Sequence, residues 1–174
     1  MILVCACAVL ATAAGCTPEQ WQQVCEQVAP QERVQASDAC RWLPDIAELW
    51  PVEEWGNALA IIACESKGDP RVQYGGRDST DWKRATGLFQ IKPGNLWGLA
   101  PFKPGGSGEH LVDSSLDWAG KIEWLKDPAN NMAAAYAIWF DGYGDPGWHT
   151  RSSGERRSWR GGAKWDCART LRLP

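Results

Sequence analysis

The sequence predicts an α+β fold dominated by helix, with one small β element. Three observations lead there. Several segments repeat apolar residues at helical spacing behind recognisable start signals. The stretch 72–91 is polar, Gly-rich and lacks that period. The length of 174 residues, with 44% hydrophobic and 22% charged residues, suits one globular domain plus a leader.

The elements follow in order. Residues 1–16 form an apolar leader, shorter than the roughly 20 residues that span a bilayer. Thr17-Pro18-Glu19-Gln20 has the pattern of a capped helix start, with Thr as cap, Pro in the first turn and Gln three residues on. Trp21, Val24 and Val28 continue it at helical spacing through Pro18–Ala29, and a turn-rich piece runs on to Pro44. Pro51-Val52-Glu53-Glu54 opens a second helix whose stripe is Trp55, Leu59, Ile62 and Ala63, with acidic residues at its positive end. Lys67-Gly68-Asp69-Pro70 stops it. The stretch 72–91 is expected to be a loop carrying a small β-hairpin. A helix is expected over Ser114–Leu125, with Leu116, Ile122 and Leu125 inward. Another runs from Asp127-Pro128 to Gly142 through Met132, Ala135, Tyr136 and Trp139. The organisation is therefore a leader (1–16), an N-terminal helical extension (17–50), a main domain (51–150) and a basic segment packed on it (151–174).

A net charge of −3 and a pI near 5.4 argue against a dedicated nucleic-acid binder. The last segment alone, from Arg151, sums to +5 and the remainder to −8. Contact with an anionic polymer and a solvated tail held by Trp159, Trp165 and Cys167 are its two readings. Twelve Trp against three Phe and three Tyr suit a surface that stacks on flat ligands, sugar rings included, or an aromatic core.

The seven Cys are 5, 7, 16, 25, 40, 64 and 167. Ala13-Ala14-Gly15-Cys16 resembles the end of a bacterial lipoprotein signal, with Ala13 where that signal usually carries Leu and no Lys or Arg at the start. Cys16 is thus a lipidation candidate and a membrane anchor. Setting the leader cysteines aside leaves four, as suits an oxidised exported domain. Of three connectivities, Cys25–Cys40 and Cys64–Cys167 are expected. The first pair is close in sequence, and the second ties the basic segment to the helix end. A free buried Cys64 is the alternative. Outside the leader no cysteine pair has zinc-knuckle spacing, and His110 and His149 stand alone, so neither metal nor cofactor is expected.

The chemistry-bearing stretch is Ala60-Ile61-Ile62-Ala63-Cys64-Glu65-Ser66, followed by Thr86-Gly87-Leu88-Phe89-Gln90-Ile91-Lys92-Pro93. An apolar helix ends in a carboxylate, and a glycine-led apolar segment then brings in one amide. This pairing resembles the lysozyme-like lytic transglycosylases, a superfamily that includes soluble lytic transglycosylases, goose-type lysozymes and resuscitation-promoting factors. Its pattern is Glu-Ser at a helix end, then Gly-Leu-X-Gln-Ile-X-Pro. Asp127-Pro128-Ala129-Asn130-Asn131, Tyr136 and Trp148 resemble its third part, although the usual Ala-Tyr-Asn-Ala-Gly reads Ala135-Tyr136-Ala137-Ile138-Trp139 here. The resemblance covers Trp55 to Trp148 and implies a lysozyme-like fold with peptidoglycan glycan strands as substrate. The implied protein is an exported monomer of the periplasm or cell envelope, lipid-anchored or phage-encoded.

Within that resemblance Glu65 is the catalytic acid. The negative end of a helix dipole and partial burial both favour its protonated form, as a general acid requires. Ser66, Gly87, Leu88, Phe89, Gln90, Tyr136 and Trp148 are the expected substrate contacts. Asp78 and Asp81 are candidates for the second carboxylate that hydrolases need. Hen-type lysozymes place theirs two residues before the Gly, where this chain has Ala85. The single-acid scheme of a lytic transglycosylase is therefore preferred, with an anhydromuramic acid product. The alternatives are a hydrolytic muramidase, including a phage endolysin, and a non-catalytic glycan-binding module.

Overall fold

Thr17 starts the first helix, as its cap pattern dictates. Its backbone N–H donates to Gln20 Oε1 at 2.8 Å and its Oγ1 accepts from Gln20 N at 3.3 Å, both halves of a capping box. These geometries come from a computed structural model that describes residues 16–78, 80–96, 112–113 and 115–141. Helix α1 spans Pro18–Val28 and buries Trp21, Val24 and Cys25.

The piece expected to be turns is instead helical in short steps. Helix α2 is Glu32–Gln35, a 3-10 helix follows at Asp38–Trp42, and α3 is Leu43–Leu49. None is long enough to show an apolar period, so tertiary contact rather than propensity holds them. Pro44 lies inside the first turn of α3, where a missing N–H costs no intrahelical bond. A 3-10 turn at Val52–Glu54 leads into α4, Trp55–Glu65. The expected stripe widens: Trp55 and every residue from Ala58 to Ala63 are buried. A helix apolar on all sides must be wrapped, and α1, α2, the 38–42 helix and α3 all contact it. Trp21 meets Trp55 edge-on at 6.3 Å between ring centroids. The compact unit closes at Gly68, so α4 is grouped with the preceding helices.

A second compact unit begins at Asp69. Its β element is the expected hairpin: β1, Gln73–Tyr74, runs antiparallel to β2, Ala85–Thr86, pairing Gln73 with Thr86 and Tyr74 with Ala85. Thr86 also bridges Ile91. A 3-10 turn occupies Pro93–Leu96. Helix α5 is Trp118–Lys126 and starts later than expected, because Asp117 is its cap, accepting from Gly120 N at 2.7 Å. Ile122 and Leu125 are buried as expected, and Leu116 is half-buried. Helix α6, Pro128–Asp141, opens where Asp127 accepts from Asn130 N at 3.0 Å. Leu88, Phe89, Ile91, Ile122, Leu125 and Met132 are the largest fully buried side chains among the described residues of this unit.

The architecture is thus mainly helical with one two-stranded antiparallel element. Among the described residues no helix is long and apolar enough to cross a membrane. The leader before Cys16, the helix terminus at Gly142, Trp148, Cys167 and the whole basic segment from Arg151 lie outside the described residues.

Candidate functional site

Glu65 is the last residue of α4 and is half-buried. Its placement follows from how the chain stops that helix. Ser66, 3% exposed, turns its Oγ back to donate to Ile62 O at 3.1 Å and accepts from Gly68 N at 3.2 Å. Lys67 and Gly68 then both adopt left-handed conformations, with φ of 55° and 89°. The 38–42 helix grips this reversal from one side. Asp38 N donates to Lys67 O at 3.0 Å, while Arg41 Nη2 and Trp42 Nε1 donate to Gly68 O at 3.0 and 2.9 Å. The Arg41 guanidinium also stacks on the Trp42 ring, 4.7 Å from its centroid. Only glycine fits at Gly68, since a Cβ would come within 2.5 Å of the Asp38 carbonyl carbon. Ser66, expected to contact substrate, is therefore part of the helix stop.

The grip is itself tethered. Cys40, between Asp38 and Arg41, is disulfide-bonded to Cys25 of α1 with a Cα–Cα distance of 5.7 Å, the first of the two expected pairs. Cys64, adjacent to Glu65, is also disulfide-bonded, so it is not the free thiol of the alternative reading. Its expected partner, Cys167, lies outside the described residues. Cys16 is disulfide-bonded as well. A sulfur in a disulfide cannot at the same time carry a thioether-linked lipid, so this bond and lipidation of Cys16 are mutually exclusive states.

The glycine-led segment belongs to the second unit, and Asn131 organises it. This fully buried amide accepts from Phe89 N through Oδ1 at 2.9 Å and donates through Nδ2 to Thr86 O and Leu125 O, each at 2.9 Å. Gly87 has φ 80°, and a Cβ there would fall on the Asn131 amide. Gln90 takes φ 48° and turns inward, its Nε2 donating to Val72 O and Gly87 O at 2.9 Å. Leu88 and Phe89 are 0% and 1% exposed, and Gln90 3%. The side chains of Leu88, Phe89 and Gln90 thus build the frame of the loop and position its backbone. Nothing in the local sequence marks Asn131 for this role, because its partners Thr86 and Phe89 lie more than forty positions away.

Of the candidate second carboxylates, Asp78 is exposed and Asp81 half-buried. Both cap turns of the hairpin loop. Asp78 Oδ1 accepts from Thr80 N at 2.8 Å and from Thr80 Oγ1. The hydroxyl bond, then the backbone bond, hold its carboxyl below the usual range. Asp81 accepts from Arg77 N at 3.2 Å and Lys83 N at 2.8 Å. Tyr136 is half-buried on α6, its ring 5.4 Å from that of Trp139. An open groove of about 690 Å³ lies in this unit, lined by Pro70, Arg71, Gln73, Glu123, Lys126, Asp127 and Pro128. Among the described residues no group of three or more His, Cys, Asp and Glu could hold a metal ion. No protein-family model, curated protein or solved structure matches the chain.

Proposed function

We propose that the chain cleaves the β-1,4 bond between N-acetylmuramic acid and N-acetylglucosamine in peptidoglycan, as a lytic transglycosylase with Glu65 as its single acid and base. The observation that carries this reading is Glu65, half-buried at the end of the largely buried helix α4, with the Ser66–Gly68 reversal that follows it pinned by hydrogen bonds. Catalytic groups need such fixed placement, since small displacements cost about a hundredfold in rate. The Glu-Ser and Gly-Leu-X-Gln-Ile-X-Pro resemblance, in the lysozyme-like manner, supplies the substrate class. Glu65 protonates the glycosidic oxygen as the substrate's own N-acetyl group assists at the sugar carbon. Glu65 then takes the proton of the muramic acid primary hydroxyl, which closes an anhydro ring in place of water attack. The turn-capping duties of Asp78 and Asp81 favour this single-acid scheme over a muramidase that would use either to activate water.

Glu65→Gln should abolish cleavage with little change in thermal stability, because general acid–base work contributes about 10²–10⁴-fold. Turbidity loss of purified cell walls reads it, and activity within a few-fold of the parent refutes the assignment. Mass analysis of the released muropeptides should show anhydromuramic ends. Mostly reducing muramic ends would make the enzyme a hydrolase, and no cleavage by the parent would leave a glycan-binding module.

A further inference from the structure

Among the described residues the tryptophans range from buried to exposed: Trp118, with the Lys121 ammonium 4.7 Å from its ring centroid, and Trp124 are half-buried. Trp21, Trp50, Trp55 and Trp139 are all buried, and Trp42 spends its N–H on Gly68 O. Trp82 is the exposed one among the described tryptophans: it sits in the hairpin loop with 49% of its surface open. Its ring is nevertheless fixed from behind. Gly94 N donates to Trp82 O at 3.0 Å, and a Cβ on Gly94 would come within 2.6 Å of Trp82 Cε3. Absence of that Cβ lets the indole lie against the backbone. The Lys83 ammonium stands 4.9 Å from the ring centroid.

We propose that Trp82 and Lys83 form a glycan-binding subsite, the indole stacking on an N-acetylated sugar ring and the ammonium meeting a carboxylate of the stem peptide. This deepens the functional reading above and rests on it. The chemistry of the patch selects that occupant. A protein partner calls for a contiguous apolar surface, but Trp82 is flanked in the chain by the polar Asp81, Lys83 and Arg84. A pyranose matches it, with one apolar C–H face for the ring and hydroxyl edges for a polar border. A ring already held by Gly94 loses little freedom on binding. The exposed Lys83 can exchange its cation–π contact for a carboxylate, an ionic bond a neutral sugar does not offer.

The test measures binding in the Glu65→Gln background, with the N-acetylglucosamine hexamer and with insoluble peptidoglycan as probes, alongside wall cleavage by the same substitutions in the active chain. Trp82→Leu keeps an apolar side chain against Gly94 but removes the flat face. It should weaken both probes by about tenfold or more with the thermal midpoint unchanged, and Trp82→Ala should do the same. Lys83→Gln should weaken peptidoglycan several-fold and leave the hexamer unaffected. Parent-like binding by Trp82→Leu, in a chain that still cleaves walls, overturns the subsite while the functional reading stands. An equal loss on both probes from Lys83→Gln overturns the carboxylate contact. A parent that neither cleaves walls nor binds either probe overturns both the subsite and the functional reading.

Discussion

Asn131 places three hydrogen bonds on one buried amide and so takes the part that a third strand would play for the Gly87–Gln90 loop. Asn131→Ala should cost about 2–4 kcal/mol, since buried backbone groups lose their partners, and urea unfolding with an unchanged slope reads it. Asn131→Asp keeps the acceptor for Phe89 N but turns a carboxylate oxygen toward two carbonyls, so it should fare no better. Asp78 gives a pH signature of opposite exposure. Its carboxyl is held below the ordinary 3.8 by the Thr80 bonds. A depressed acid contributes stability above its unfolded value and loses it as pH falls through the folded one. The thermal midpoint of the parent should exceed that of Asp78→Asn by a small margin at neutral pH, and the gap should close in acid. The sequence revealed the residue types at this scale but not their orientation. Gln90 reads as a polar side chain available to ligand, yet its positive φ and two backbone acceptors turn it inward. Such contacts join positions far apart in the chain, as Asn131 and Thr86 are, and local pattern carries no record of them.

At the scale of elements, the stop after α4 is where sequence and geometry agree most closely. Lys67-Gly68-Asp69-Pro70 marks the end, and the two left-handed residues execute it. Gly68→Ala should cost about 2–5 kcal/mol, combining left-handed strain with a collision against Asp38. Gly75→Ala is the control: its φ is also positive, at 68°, but its nearest neighbour is the Lys83 carbonyl oxygen at 3.8 Å. It should cost only about 1 kcal/mol. Similar losses from the two substitutions, measured by chemical denaturation, would show that the grip on the helix end contributes little. Capped and periodic helices were legible: α1, α4 and α6 carry their start signals within a few residues. The short helices of 32–49 were not, because one or two turns leave no period and owe their form to the side of α4 they cover.

For the molecule as a whole, the mainly helical class was legible because it sums many local signals, whereas the division after Gly68 was not, because it depends on which faces each helix finds. The Cys25–Cys40 bond adds a covalent tie inside the first unit across a separation of 15 residues. Replacing both with Ala should cost about 3 kcal/mol by loop-closure entropy, checked by unfolding the variant and the parent side by side without reductant. The proposed wall cleavage should fall before the unfolding transition is reached, because the freed 38–42 helix no longer steadies the residues after Glu65. The Gly87–Asn131 contact has a further consequence, in the currency of inheritance. A methyl at 87 collides with the amide at 131, and truncating 131 strands the backbone around 87, so every single step away from the pair passes through a damaged chain. Descendants of this sequence would keep both residues or replace both together, and a lineage could drift freely at the exposed Tyr74 while these two positions stayed locked to one another.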